Sequence, residues 1–244
     1  MSFLKSFSTP SISIGRRLFS PFELCLYGLL IYIILFYEIR LIVQLACLLI
    51  SVVIHEVAHA WVAYFYGDPT AKQLGRLSVN PIKHADPLGS VILPGILIFS
   101  GAGIIFGWAK PVPVNPRYFS QPTKHMMLVA LAGPLSNITI AFIAGLLFKV
   151  LRTIGFDFIV LDYLIYACRY LVPLNLVLAI FNLFPIPPLD GSRILNHFLP
   201  YKAQVSLAAL EPYGFFIVMG CAYFGIFDIA FSKLLPILMP FFIA

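Results

Sequence analysis

Apolar residues run almost unbroken from 22 to 37 and again from 41 to 67, with Glu38 and Arg40 between the two runs. Runs of this length read as membrane-crossing helices, because about 20 apolar residues at ~1.5 Å each span the hydrocarbon core. The pattern predicts a first span over 22–37, a tight turn at Glu38 and Arg40, and a second span over 41–67. Gly67-Asp68-Pro69 then stops the helix. Residues 68–86 are polar, with turn signals at Asn80-Pro81 and Asp86-Pro87. Residues 88–107 are apolar again but punctuated by Pro94, Gly95, Gly101, Gly103 and Gly107. The stretch from Trp108 to Pro116 is expected to be extended, since Pro111, Pro113 and Pro116 bar the residues before them from helix. Further spans are predicted over 126–152 and 161–184. A proline-rich turn and an amphipathic stretch come next over 185–212, and two short spans over 213–227 and 229–243 close the chain. No internal repeat is visible.

The loops decide how this pattern threads the bilayer. Lys72, Arg76 and Lys83 lie before the broken apolar run, and Lys110, Arg117 and Lys124 after it. If 88–107 crossed the membrane, equal positive charge would lie on both sides, against the positive-inside rule. If it dips in and returns, shielded by protein, both loops are cytoplasmic. The fold class expected is an all-α polytopic membrane protein, with about six transmembrane helices and a re-entrant, partly extended segment around 88–114. Residues 1–21, Ser-rich and basic, form a cytoplasmic N-terminal tail, and 22–244 a single transmembrane domain. The protein is placed as multi-pass in the cell membrane.

Composition agrees. The 244 residues are 61% hydrophobic and 11% charged, with a mean hydropathy of +0.96. Soluble domains average about 45–50% apolar and about 25% charged. The net charge of +6 belongs to cytoplasmic loops rather than to a nucleic-acid surface. Cys25, Cys47, Cys168 and Cys221 all sit in apolar segments without C-x-x-C spacing, so they read as buried hydrophobes. No cleavable signal peptide is evident after the first apolar run.

One apolar span carries three ionisable side chains: Ile54-His55-Glu56-Val57-Ala58-His59. His55 and His59, four apart, share one helix face and are spaced to grip one zinc ion, with Glu56 beside them as general base. H-E-x-x-H also arises by chance, but intramembrane charge is expensive and marks function by default. Zinc needs a third protein ligand. His84, His125 and His197 lie in polar loops and read as surface groups. Asp190 sits in the proline-broken segment Pro185-Ile-Pro187-Pro188-Leu189-Asp190-Gly191, where Asp-Gly also suits a plain turn. Depth favours the ligand: with 88–107 re-entrant, Asp190 returns to the same side as both histidines.

Together these motifs resemble the site-2 protease family of intramembrane zinc metalloproteases (peptidase family M50), over about residues 41–215. The resemblance rests on His55-Glu56-x-x-His59, on Ala132-Gly133-Pro134-Leu135-Ser136-Asn137 and on Asn182-x-x-Pro185-x-x-x-Leu189-Asp190-Gly191. Gly107 to Asn115 is similar to the short bacterial members. The resemblance implies His55, His59 and Asp190 as zinc ligands, Glu56 as catalytic base, and a membrane-dipping β element between the first two core spans. It implies a catalytic core of about 41–200 that cleaves transmembrane protein substrates within or near the bilayer. No PDZ or CBS domain is accommodated. Asn137 and Asn182 are candidates for binding substrate backbone, or else for hydrogen bonding between helices. An edge strand within 88–114 could hold substrate extended. A non-catalytic client-binding homologue and a metal or ion transporter are the alternatives. Oligomeric state, substrate and cut site are left open.

Overall fold

A computed structural model describes residues 12–14, 17–19, 21–84, 110–153 and 159–243, with isolated positions at 86, 92 and 96, and side chains from Ile39 onward. The re-entrant element expected over 88–107 lies outside these residues apart from those isolated positions. The chain divides into two compact units, Met1–Leu45 and Ala46–Ala244. The first holds an antiparallel pair, β1 (Ile12–Ile14) and β2 (Arg17–Phe19), in which Ile12 faces Phe19 and Ile14 faces Arg17. It also holds the start of helix α1 (Pro21–Phe65).

The turn expected at Glu38 and Arg40 does not form: α1 continues through both positions. Glu and Arg are good helix formers, and no Gly or Pro lies between Leu29 and Tyr66. The two charges mark a change of polarity, not a break in the backbone. The expectation of a cytoplasmic N-terminus depends on that turn and loses its support here. Among the described residues five helical stretches are long and apolar enough to cross a membrane: Ile39–Phe65, Pro122–Thr153, Ile159–Asn182, Tyr201–Tyr223 and Ile226–Ile243. The protein is thus an all-α multi-pass membrane protein.

In the second unit α1 ends at Gly67, which takes the left-handed φ of 100° that a side chain would resist. A short helix, α2 (Thr70–Gln73), comes next. Helices α3 (Pro122–Thr153) and α4 (Ile159–Asn182) pack along each other. Their seam is small and apolar: Ala141, Ala144, Val172 and Leu176 are buried at its centre. Leu235, Met239 and Phe242 of α8 (Ile226–Ile243) close over it. Between them lie α5 (Asp190–Phe198), α6 (Tyr201–Ala209) and α7 (Gly214–Tyr223). The closing hairpin turns at Gly225 (φ 69°), three residues before Asp228.

The polar loops are built, not loose. Asp68 is fully buried and accepts hydrogen bonds from the Thr70 amide (2.9 Å), the Thr70 hydroxyl and the Asn115 amide (2.7 Å). The Lys110 amide donates to the His84 carbonyl (2.9 Å). Val112 packs with Ala60 and Ala71, and Val114 against the cluster of Ala63, Phe119 and Val129. These contacts lay the 110–115 segment along the end of α1. They also overturn the expectation of surface histidines at two positions. His84 is buried and bound to the Ser78 carbonyl (2.7 Å), and His125 is buried in a stack on Tyr66 (4.2 Å). Loop packing against α1 took in side chains that a polar neighbourhood had marked as exposed. His197 is half-buried.

Replacing Asp68 with Ala leaves the Thr70 and Asn115 amides without their acceptor. The expected cost is about 1–3 kcal/mol, read as a lower thermal denaturation midpoint in detergent. An unchanged midpoint would show that the loop holds without this carboxylate.

Candidate metal centre

Three helices converge on one point. The i, i+4 spacing on α1 puts the rings of His55 and His59 edge to face, with centroids 4.6 Å apart. Asp190 arrives from the N-terminus of α5. Gly191 makes that arrival possible: a Cβ there would collide with the carbonyl oxygens of Leu183 and Phe184. The chain therefore folds back hard against the end of α4, and the Asp-Gly pair opens a helix rather than making a plain turn.

His55 Nε2 and His59 Nε2 lie 3.0 Å apart, and Asp190 Oδ2 lies 3.2 and 3.3 Å from them. The other ring nitrogens are engaged. His59 Nδ1 is 2.7 Å from the Val129 carbonyl, which can only accept, and His55 Nδ1 is 2.6 Å from Asn137 Oδ1. Each imidazole thus keeps its proton on Nδ1 and turns the Nε2 lone pair inward. Asp190 Oδ2 is buried without a hydrogen-bond partner. With both imidazoles neutral and protonated on Nδ1, three lone pairs face one another, an arrangement suited to a cation. A tetrahedral zinc with bonds of about 2.0–2.2 Å has ligand atoms about 3.3–3.6 Å apart, slightly wider than this triangle of 3.0–3.3 Å. Two neutral imidazoles and a carboxylate are a donor set that zinc accepts.

Glu56, next along α1, accepts the Val112 amide on Oε2 (2.8 Å). That leaves its second oxygen to act on a neighbour. With the three candidate ligands it lines a cavity of about 150 Å³, closed by Val112, Asn182, Leu189 and Arg193. Through Pro111, Val112, Val114 and Arg193 the cavity continues into a groove of about 600 Å³ between the 111–116 segment and α5 and α6. Arg193 lies 4.0 Å from Glu211, which lines the groove with it. The two asparagines part ways. Asn182 lines the cavity and donates to the Leu178 carbonyl (2.9 Å). Asn137 is fully buried behind His55. Val112 is a contact the sequence did not flag: an apolar side chain says nothing about where its amide points.

Gly133 of α3 forms the wall behind both imidazoles. A Cβ there would come within 2.5 Å of His55 Cε1 and of His59 Cε1 and Nε2. Gly133→Ala is therefore expected to push both rings off their positions and weaken divalent-metal binding by about 10–100-fold. Chelator competition on the purified variant measures this, and wild-type affinity would refute the tight wall.

Comparisons with known proteins give the family. Residues 158–219, which include Asp190, match Peptidase family M50. YwhC of Bacillus subtilis (strain 168), whose name places it among zinc metalloproteases, is 42% identical over 191 residues, 76% of this chain and 82% of YwhC. Rip2 of Mycolicibacterium smegmatis, named in the same way, is 32% identical over 178 residues, 73% of this chain and 65% of its own. Rip2 of Mycobacterium tuberculosis (strain Erdman) is 30% identical over 169 residues, 68% of this chain and 60% of its own. No solved structure matches. With a relative this similar over most of both chains, and a His-His-Asp cluster beside a glutamate, the chain belongs to peptidase family M50, the site-2 protease family of membrane metalloproteases.

Proposed function

We propose that this protein hydrolyses peptide bonds of transmembrane proteins within or near the bilayer, with one zinc ion held by His55, His59 and Asp190. The observation that carries the reading is the set of three inward lone pairs within 3.3 Å of one another. They line a cavity that also holds a glutamate and opens onto a groove. When bound, zinc supplies Lewis acidity, bringing the pKa of water to about 7 and polarising a carbonyl.

This chain's residues do the rest. Glu56, oriented by the Val112 amide, takes a proton from water on its remaining oxygen and returns it to the leaving amine. Val112 and Leu189 narrow the cavity and limit water. The groove takes peptide in an extended form, because a helical substrate hides its own amides and must unwind first. Asn182, on the cavity wall, is placed to meet substrate backbone. For Asn137 we favour orientation of His55 over substrate contact, since its amide is buried and already engaged. The name of YwhC supports zinc over other metals. The basic residues Lys72, Lys83, Lys110 and Arg117 around the 68–119 loops support a cytoplasmic opening in the cell membrane.

Metal analysis of the purified protein tests this directly. Wild type and Glu56→Gln are expected to carry about one zinc per chain, and Asp190→Ala to lose it. Glu56→Gln is also expected to lower cleavage of a reconstituted transmembrane substrate by about 10²–10⁴-fold. Zinc retained without Asp190 would place the third ligand elsewhere. Full cleavage by Glu56→Gln would remove Glu56 as the base.

A further inference from the structure

The direction in which His55 offers its lone pair is decided on a different helix. Asn175 of α4 is fully buried. Its Nδ2 donates to the Leu171 carbonyl (2.9 Å) and to Ser51 Oγ (2.9 Å), and its Oδ1 accepts from Asn137 Nδ2 (2.8 Å). Ser51, also fully buried, donates its own proton to the Cys47 carbonyl (2.7 Å).

An asparagine amide has nearly the same shape either way round, so its neighbours decide which end is oxygen. Here they leave no choice. Both far ends of the chain of bonds are backbone carbonyls, which accept and never donate. The Leu171 carbonyl draws the NH₂ of Asn175, so Asn175 turns its oxygen to Asn137. The Cys47 carbonyl consumes the Ser51 proton, so Ser51 Oγ must accept from Asn175 as well. The Asn175 oxygen then draws the NH₂ of Asn137, and Asn137 turns its own oxygen to His55. That oxygen takes the proton of Nδ1, and Nε2 is left with its lone pair.

We propose that Asn175, backed by Ser51, is a positioning residue that selects the metal-ligating tautomer of His55. The proposal rests on the proposed function, because metal is what that lone pair addresses. Asn175 does not line the cavity. It acts only through Asn137, and it ties α4 to α1 and α3. Metal competence therefore requires these three helices to be docked in register. Without Asn175, Asn137 has no acceptor for its NH₂ in apolar surroundings. It can then turn over, donate to His55 Nδ1 and move the ring proton to Nε2, where it blocks coordination. Hydrogen bonding that served helix association alone would not depend on this direction.

The test is Zn²⁺ affinity of the full chain in detergent, measured by chelator competition on monodisperse protein. Asn175→Leu is expected to weaken affinity by about 10–100-fold, as for other residues that orient a ligand from behind. Adding Asn137→Asp is expected to recover most of that loss. A carboxylate accepts at both oxygens, so it has no wrong way round. A purely structural role for Asn175 would not be rescued this way. Unchanged affinity in Asn175→Leu, or no recovery in the double variant, overturns the proposal. If Asn175→Leu does not fold, Asn175→Ala with and without Asn137→Asp decides in its place: the same loss and the same recovery are expected, and no loss or no recovery overturns the proposal. Wild-type protein that binds no Zn²⁺ would sink the proposed function, and this inference with it. Wild-type protein that binds, with variants unaltered, would sink this inference alone.

Discussion

Two imidazole nitrogens and a carboxylate oxygen stand 3.0–3.3 Å apart, each turning a lone pair toward the other two. Left alone, such a triangle repels itself, and in water it would open. Here it is held shut from outside. The Val129 carbonyl and Asn137 pin the two rings by their far nitrogens. Gly133 leaves room for both rings against α3, and Gly191 lets α5 start close enough to α4 to bring Asp190 in. Three of these contacts come from one face of α3 and the fourth from the start of α5, and together they support the triangle. A site organised in this way has its ligand atoms positioned before a cation arrives.

The membrane raises the stakes for every polar group near that site. An unsatisfied donor or acceptor has no water to fall back on, so partners must be supplied by the protein. The line from His55 through Asn137, Asn175 and Ser51 to the Cys47 carbonyl meets this demand without leaving a gap. At the polar end of α1 the same economy recurs. Glu56 and Asp68 each accept one amide of the 112–115 segment, on Val112 and Asn115. Pro111 and Pro113, on either side of Val112, have no amide to offer, and the Val112 amide between them donates to Glu56. Glu56 is thereby also an anchor of the wall that encloses it.

Chain-local physics accounts for the features that the order of residues settled without help from packing. Apolar run lengths mark helices able to cross a bilayer, and an i, i+4 pair must share a face, so His55 and His59 were bound to meet. Proline and glycine placed the ends of helices near Gly67 and Pro185. Where local signals were weak, they misled. Glu38 and Arg40 looked like a turn, but helix propensity carried α1 through them. His84 and His125 looked exposed because their neighbours in sequence are polar, whereas burial is set by neighbours in space. Tertiary packing alone decided how close Asp190 comes to the histidines, because that distance depends on how tightly Gly191 lets α5 press against α4. It alone could decide that Asn137 faces His55, or that Asn175 and Ser51 stand behind it. Those three residues lie on separate helices, and the direction of a hydrogen bond depends on which acceptor-only carbonyl terminates the chain, a relation that exists only once the helices have packed.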